Sequence, residues 1–218
     1  MDVTDLRAVI FDFDYTLADS SRGAHDCINF ALQEMGLNPV DADAACRTIG
    51  FSLAETFLML GKHHQAARCA EFHQLFIKRA EEVMVNMTVL YKSVPATTEA
   101  LSKRGLKLGI VSTKYRRRIN EVLEREGLLG RFAVVIGGDD VKEHKPDPEG
   151  LLRAIERLEC SPASVVYVGD SEVDAKLAQR AEVGLVVVLS GVTPRQKFDN
   201  YETLAVLEDL GELPDVLV

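Results

Sequence analysis

Two aspartates, Asp12 and Asp14, stand two positions apart directly after the apolar run of residues 8–11. Such a run is typical of a buried parallel strand. Because residues i and i+2 of an extended chain point to the same side, we expect both carboxylates to face one pocket at the carboxyl end of that strand. Two anions this close stay ionised only beside a cation, and a divalent metal is the simplest candidate. The same spacing also fits a plain strand followed by an acidic turn.

Further polar side chains follow later apolar runs of the chain. Ser112 and Thr113 follow one run and are expected at the start of a helix, Asp170 follows another with Asp174 one helical turn later, and Lys145 lies in a loop. In a parallel sheet, strand ends of this kind meet at one edge. Carboxylate oxygens suit Mg²⁺, whereas hydroxyls, helix-opening N–H groups and a lysine suit phosphate. The set predicts phosphoryl transfer through a carboxylate nucleophile.

Apolar strands alternate with amphipathic helices over the second part of the chain. This alternation predicts an α/β fold with a doubly wound parallel sheet. A short helical piece is expected after the last strand. The predicted strands are residues 8–11, 106–111, 132–136, 165–168 and 185–189, and the predicted helices between them are residues 96–103, 116–126, 149–158 and 171–181.

The intervening segment has a different, wholly helical character. Helices are expected near residues 24–35, 44–48, 52–60 and 64–86. Gly36 is placed as a C-cap glycine, and Ser52 with Glu55 fits a capping box. We therefore predict a catalytic core of residues 1–18 and 87–218, with an all-helical cap of residues 19–86 inserted after the first strand.

Composition limits the classes of partner. The 218-residue chain has a formal net charge of −9, which argues against nucleic acid as the main partner. No apolar run has the length needed to cross a membrane, and no signal pattern opens the chain. The four cysteines are scattered without C-x-x-C spacing, so free thiols in a reducing cytoplasm are expected. We predict a cytoplasmic monomer or homodimer that acts on a small phosphorylated substrate.

Four stretches in order resemble the motifs of the haloacid dehalogenase superfamily. They read FDFDYTLADS, LGIVSTK, GGDDVKEHKPDPE and VVYVGDSEVDAKLA. The resemblance extends through nearly the whole core to SGVTPRQKF and is weakest in the cap. It is closest to the phosphoglycolate phosphatase-like members, which have a Rossmann-like core and an inserted helical cap. The resemblance therefore implies a Mg²⁺-dependent phosphatase.

The resemblance also implies roles for three aspartates. Asp12 matches the nucleophile that becomes an aspartyl-phosphate. Asp14 matches the acid/base that protonates the leaving alcohol and then activates water. Mg²⁺ would be held by the Asp12 carboxylate, the Asp14 backbone carbonyl and Asp170.

Five other positions complete the implied site. Ser112 matches the phosphate-binding hydroxyl, and Thr113, where relatives often have Asn, would offer its backbone N–H. Lys145 matches the lysine that binds phosphate and balances charge on the nucleophile. Asp174 would orient Lys145 or a metal-bound water, unless it is only a first-turn acid favoured by the helix dipole. Thr16 is expected to be mainly a turn hydroxyl that bonds nearby backbone.

Several positions depart from the family pattern or concern the substrate. Tyr15 replaces the usual glycine, so we expect a reshaped turn or a ring at the entrance. Ala24 stands where the family members that act as β-phosphoglucomutases carry histidine, and His25 is one residue away. Arg47 is the candidate cap residue for an anionic substrate tail, with a solvated surface arginine as the alternative. Asp139 and Asp140 are expected to be loop acids that do not belong to the site.

Three other functions are compatible with the same residues. One is a sugar-phosphate mutase of the β-phosphoglucomutase type, in which Asp12 relays phosphate between hydroxyls. A pyrophosphatase is another, because pyrophosphate is also a small phosphorylated anion. A phosphate-binding regulatory protein without turnover is the non-enzymatic candidate. Phosphate release without a bisphosphate primer distinguishes hydrolysis from the mutase reaction.

Overall fold

A computed structural model of the chain describes residues 5–217. The chain divides into two compact units, one made of Met1–Ala18 and Leu90–Val218 and the other of Asp19–Val89. Residues 1–4 and 218 fall within the predicted core segments but lie outside the described residues.

The first unit is built on a parallel sheet. Within residues 5–217 its six strands are β1 (Ala8–Phe11), β4 (Lys107–Val111), β5 (Val134–Ile136), β6 (Val165–Gly169), β7 (Gly184–Val188) and β8 (Ala205–Leu207). Their order across the sheet is β5-β4-β1-β6-β7-β8. Strand β1 lies between β4 and β6, with Phe11 opposite Ile110 on one side and Val168 on the other. The predicted α/β fold with a parallel sheet is confirmed.

One strand of this sheet was not predicted. Strand β8 occupies part of the segment that was expected to contain only a turn and a helical piece. It pairs with β7, with Val186 opposite Ala205 and Val188 opposite Leu207. Its three residues are too few to establish a periodic pattern, and only Leu207 is buried. The pairing with β7 therefore decides its conformation.

The helices of this unit cover the sheet. Strand β1 is buried along its whole length, as expected for a strand with helices on both faces. A core cluster joins residues of β1, β4, β5, β6 and β7 to α7 and α8. The helices are α5 (Val94–Lys103), α6 (Arg116–Arg125), α7 (Glu149–Arg157), α8 (Glu172–Ala181) and the short α9 (Leu213–Val216).

The second unit is helical and has its own core. Its helices are α1 (Ser21–Glu34), α2 (Ala42–Cys46), α3 (Leu53–Met59) and α4 (Cys69–Met87). The rings of Phe57 and Phe72 stack in this core with centroids 4.9 Å apart. The chain enters and leaves the unit through two short strands, β2 (Ala18–Asp19) and β3 (Val89–Leu90), which form a separate two-stranded sheet.

Local signals predicted two of these helix ends. The capping box of Ser52 and Glu55 is present, and Gly36 has a φ of 70° after α1, as a C-cap glycine requires. The predicted helix at residues 64–86 is wrong at its start. A 3₁₀ helix covers His63–Arg68, with Gln65 at a non-helical φ of −119°, and the α-helix begins at Cys69.

Helix α4 is the longest of the second unit, and its burial follows an amphipathic pattern. Its buried residues are Phe72, Phe76, Ala80 and Met84, which recur every four positions and form one stripe. The rest of its surface is half-buried or exposed. Among residues 5–217, no helix combines the length and the apolar character that crossing a membrane demands.

Candidate active site

Asp12 lies directly after β1 at the carboxyl edge of the sheet. Its backbone N–H donates to the carbonyl of Val168 at 2.8 Å, so neighbouring β6 fixes its position. The residue is 2% exposed. One carboxylate oxygen, Oδ2, lies 2.8 Å from the Nζ of Lys145, and the other, Oδ1, is buried with no hydrogen-bond partner among the described residues. Asp12 therefore has one held oxygen and one open oxygen.

Lys145 bridges Asp12 to Asp174. Its Nζ lies 2.7 Å from Oδ1 of Asp174, which also accepts a hydrogen bond from the Tyr167 hydroxyl at 3.1 Å. Oδ2 of Asp174 accepts from the Ser171 hydroxyl at 2.6 Å at the start of α8. Burial alone would lower the pKa of the Lys145 ammonium, but the two carboxylates raise it above its usual value. Lys145 therefore stays charged.

Asp170 directly follows β6 and is supported by residues far away in sequence. Its Oδ1 accepts a hydrogen bond of 3.4 Å from the hydroxyl of Thr16, which is fully buried. The prediction that Thr16 mainly bonds nearby backbone is therefore wrong, because its hydroxyl donates to a carboxylate 154 positions away. A Cβ on Gly191 would lie 1.9 Å from Oδ2 of Asp170. The backbone at Gly191 approaches this carboxylate so closely that only glycine fits.

The aspartates of the site form a buried acidic cluster. Oxygen atoms of Asp12, Asp170 and Asp174 lie within 4.8 Å of one another. Burial raises the pKa of the Asp12 carboxyl to about 6, and burial, followed by the charges of Asp174 and Asp12, also raises the pKa of Asp170. Both upward shifts indicate that the surrounding residues do not fully offset the negative charge of these two carboxylates. A cation beside Asp12 and Asp170 would compensate it, and Asp174 is less suited because both its oxygens already accept hydrogen bonds.

Asp14 pairs with Lys114, which is not among the predicted site residues. The Nζ of Lys114 lies 2.9 Å from Oδ1 and 3.2 Å from Oδ2 of Asp14, and the Lys114 side chain is 7% exposed. Each aspartate of the first motif thus has its own lysine, so a metal is not the only cation that balances the pair. The available signal was the position of Lys114 two residues after Ser112, within the stretch LGIVSTK.

Tyr15 adopts the left-handed backbone conformation that glycine usually provides. Its φ is 61°, so the expectation of a reshaped turn is wrong. A non-glycine residue in this conformation costs roughly 1–2 kcal/mol. The Tyr15 N–H donates to the carbonyl of Ala18 at 2.7 Å, and its own carbonyl accepts a hydrogen bond from the Ser190 hydroxyl. These contacts hold the turn after Asp14 against the strain.

Ser112 and Thr113 lie in the loop after β4. Ser112 is 5% exposed, and its N–H donates to the carbonyl of Ile136 at 3.1 Å. The helix α6 begins at Arg116, as predicted, so Ser112 and Thr113 lie in the loop before it and the expectation that they lie at the helix start is wrong. Any phosphate contact from their backbone would come from loop N–H groups, without a helix dipole.

The acidic loop residues left out of the predicted site have structural contacts. Asp139 accepts a 2.7 Å hydrogen bond from the backbone N–H of Arg116, and Asp140 accepts one of 2.9 Å from that of Gly137. Both bonds stabilise the loop after β5. The carboxylates are therefore occupied by backbone within the first unit.

Two predicted positions belong to the helical unit. Arg47 follows α2 and is exposed. His25 is half-buried in α1, where its Nε2 lies 3.1 Å from the carbonyl of Val40 and 2.8 Å from Asn29 Nδ2. His25 therefore holds the segment after α1 in place, and neighbouring Ala24 is buried.

The chain belongs to the haloacid dehalogenase-like hydrolase family, whose pattern it matches over residues 9–188. It is 30% identical over 210 residues to a phosphoglycolate phosphatase of Aquifex aeolicus, covering 96% of this chain and 97% of that protein. It is also 30% identical over 213 residues to the pyrophosphatase PpaX of Bacillus velezensis, covering 97% of each. A haloacid dehalogenase-like hydrolase structure from Bacteroides fragilis is 42% identical, with a TM-score of 0.92 and coverage of 95% and 99%.

Proposed function

We propose that this protein is a Mg²⁺-dependent phosphatase that hydrolyses a small phosphate monoester through an aspartyl-phosphate on Asp12. One observation carries the proposal: Asp12 has one oxygen held by Lys145 and one buried oxygen without a partner among residues 5–217. A nucleophilic carboxylate needs to be fixed and yet retain an open oxygen. The relatives named phosphoglycolate phosphatase and pyrophosphatase support phosphate chemistry of this kind.

The donor set fits Mg²⁺. The Asp12 carboxylate, the Asp14 backbone carbonyl and Asp170 are the proposed ligands, and all are oxygen donors. The buried Oδ1 of Asp12 has no partner among residues 5–217, and a cation there would also offset the burial that raises the pKa of Asp170. When bound, Mg²⁺ would offset the repulsion between the Asp12 carboxylate and the substrate phosphate.

The residues would perform two displacements in sequence. An oxygen of Asp12 attacks phosphorus while the bond to the leaving oxygen breaks, and the Asp14 carboxyl gives its proton to that oxygen. Asp14 then takes a proton from water, whose oxygen attacks phosphorus and breaks the bond to Asp12. Phosphate leaves and the Asp12 carboxylate is restored, while Asp14 already carries the proton that it took from water. Ser112 and Lys145 would hold the phosphate, and Asp174 would keep Lys145 in place.

Pyrophosphate hydrolysis is a second candidate, favoured by the similarity to PpaX. The mutase candidate has less support, because Ala24 stands where the mutases carry histidine and His25 contacts Val40 and Asn29. We propose the helical unit, residues 19–89, as the cap of the enzyme. Arg47 would then be a candidate contact for the substrate tail.

The proposal is tested by measuring phosphate release from phosphoglycolate, hexose phosphates, nucleotides and pyrophosphate, with and without Mg²⁺. We expect release that requires the metal and needs no bisphosphate primer. The best substrate would decide between the monoesterase and the pyrophosphatase. Folded protein that releases phosphate from none of these compounds would overturn the proposal and favour a mutase or a phosphate-binding protein.

Gly191→Ala is expected to weaken metal use. The new Cβ would lie 1.9 Å from Oδ2 of Asp170, so the carboxylate must move. Displacing a ligand in this way raises the Mg²⁺ concentration for half-maximal activity by about 10- to 100-fold. The Mg²⁺-induced rise in the thermal midpoint should shrink in parallel.

Gly130→Ala is the matched control, because a Cβ at Gly130 meets nothing within 4 Å. We expect this variant to keep the metal requirement of the wild type. A Gly191→Ala variant with an unchanged Mg²⁺ requirement would remove Asp170 from the proposed ligand set.

A further inference from the structure

Lys114 provides a second cation at the site, on the side of Asp14. Its Nζ bonds both oxygens of Asp14, at 2.9 and 3.2 Å, and lies 5.9 Å from the centroid of the Phe13 ring. Lys145 is already engaged by Asp12 and by a second carboxylate. An anionic group bound next to Asp14 would therefore lie near the ammonium group of Lys114.

The proposed mechanism brings the leaving group to Asp14. An oxygen within hydrogen-bond distance of the Asp14 carboxylate lies within about 6 Å of the Lys114 Nζ. Such an oxygen competes for the carboxylate that Lys114 now bonds. Lys114 is 7% exposed on its side chain, and a largely buried cation that loses its partner is costly. An anionic group carried by the leaving alcohol would replace the lost partner.

We propose that Lys114 binds a second anionic group on the leaving portion of the substrate, a carboxylate or a second phosphate. The ammonium group exchanges its bonds with Asp14 for bonds with that anion, and Asp14 turns to the leaving oxygen. No covalent bond changes in this exchange. The inference rests on the proposed phosphatase function and narrows its substrates to phosphate esters with an anionic alcohol portion.

The wild-type enzyme tests this with two esters of matched size. Phosphoglycolate carries a carboxylate where 2-hydroxyethyl phosphate carries a neutral hydroxymethyl group. A charge-assisted hydrogen bond predicts that kcat/KM for phosphoglycolate is at least about tenfold higher. A smaller preference overturns the inference while leaving the phosphatase intact. Hydrolysis of neither ester, nor of any other phosphate in the panel, would instead overturn the proposed function.

Lys114→Met tests the residue itself. It removes the charge and keeps the length, and we expect the preference for phosphoglycolate to fall by about tenfold or more, mainly through KM. A residue that acts only on Asp14 would lower kcat/KM for both esters alike and leave the ratio unchanged, which would overturn the assignment. Lys176→Met, at an exposed position of α8, is the control and should keep the wild-type ratio.

Arg47→Met separates two possible sources of the preference. The exposed Arg47 of the helical unit is the other candidate for an anionic tail. Under the present inference, its loss leaves at least a tenfold preference for phosphoglycolate. A preference that disappears in Arg47→Met and persists in Lys114→Met would assign the anion to Arg47.

Discussion

Asp12→Asn is expected to lower phosphate release by a factor on the order of 10⁴ or more, with the fold retained. The amide cannot attack phosphorus as a carboxylate does, and the remaining residues cannot replace it. The side chain is 2% exposed, and the amide has nearly the same shape, so packing is preserved. Activity with the preferred substrate and circular dichroism would be measured together.

The same variant should resist unfolding at least as well as the wild type in EDTA at pH 7. The pKa of Asp12 is about 6 in the folded protein against 3.8 in the unfolded chain, chiefly because of burial. The unfolded carboxyl releases its proton first as pH rises, so folding is disfavoured increasingly from about pH 4 to 6. The amide removes this loss, and urea unfolding at several pH values would measure the difference.

Asp139→Asn is the matched control for Asp12→Asn. Asp139 is an exposed loop acid whose Oδ1 accepts from the Arg116 N–H, and an asparagine oxygen can accept the same bond. We expect wild-type activity from it. If Asp12→Asn kept more than about one hundredth of wild-type activity, Asp12 would not be the nucleophile.

Lys145→Met is expected to be the most damaging change at the site for stability. The ammonium group lies 2.8 Å from Asp12 and 2.7 Å from Asp174 and is 4% exposed, so its loss leaves two buried carboxylates facing each other. Removing one partner of a buried ion pair costs about 3–5 kcal/mol. Urea unfolding in EDTA would measure this fall in the free energy of unfolding.

The phosphatase activity of Lys145→Met should also fall, by about 100-fold or more, because the substrate phosphate loses the positive charge of Lys145. Lys142→Met is the control: Lys142 lies three positions away in the same loop and is exposed. A Lys145→Met protein that unfolds at the wild-type urea concentration would contradict the ion-pair cluster. One that keeps wild-type turnover would remove Lys145 from the catalytic residues.

Most of the correct predictions of strands and helix ends rest on residues that are close together in the sequence. The uninterrupted burial of Ala8–Phe11 follows from its composition, because a strand covered on both faces is apolar throughout. The capping box at Ser52 depends only on a residue three positions later. The positions of Asp12 and Asp170 at strand ends follow from the alternation of strands and helices.

The predictions failed where the conformation of one segment depends on its contacts with another. Strand β8 has three residues and forms because β7 offers an edge for it. The 3₁₀ helix at His63–Arg68 has no glycine or proline that would separate it from the α-helix after it, so the sequence pattern predicted one continuous helix. Tyr15 was expected either to reshape its turn or to place its ring at the entrance. The turn is not reshaped, because contacts with Ala18 and Ser190 hold the Tyr15 backbone left-handed.

The fold class, the order of the motifs and the residue types of the site could all be predicted, since they depend on local pattern. Which of these residues contact one another follows from the tertiary structure. Lys114 is 100 positions from Asp14, and Thr16 is 154 from Asp170. Such contacts exist because parallel strands distant in sequence end at the same edge of the sheet, and no local spacing encodes them.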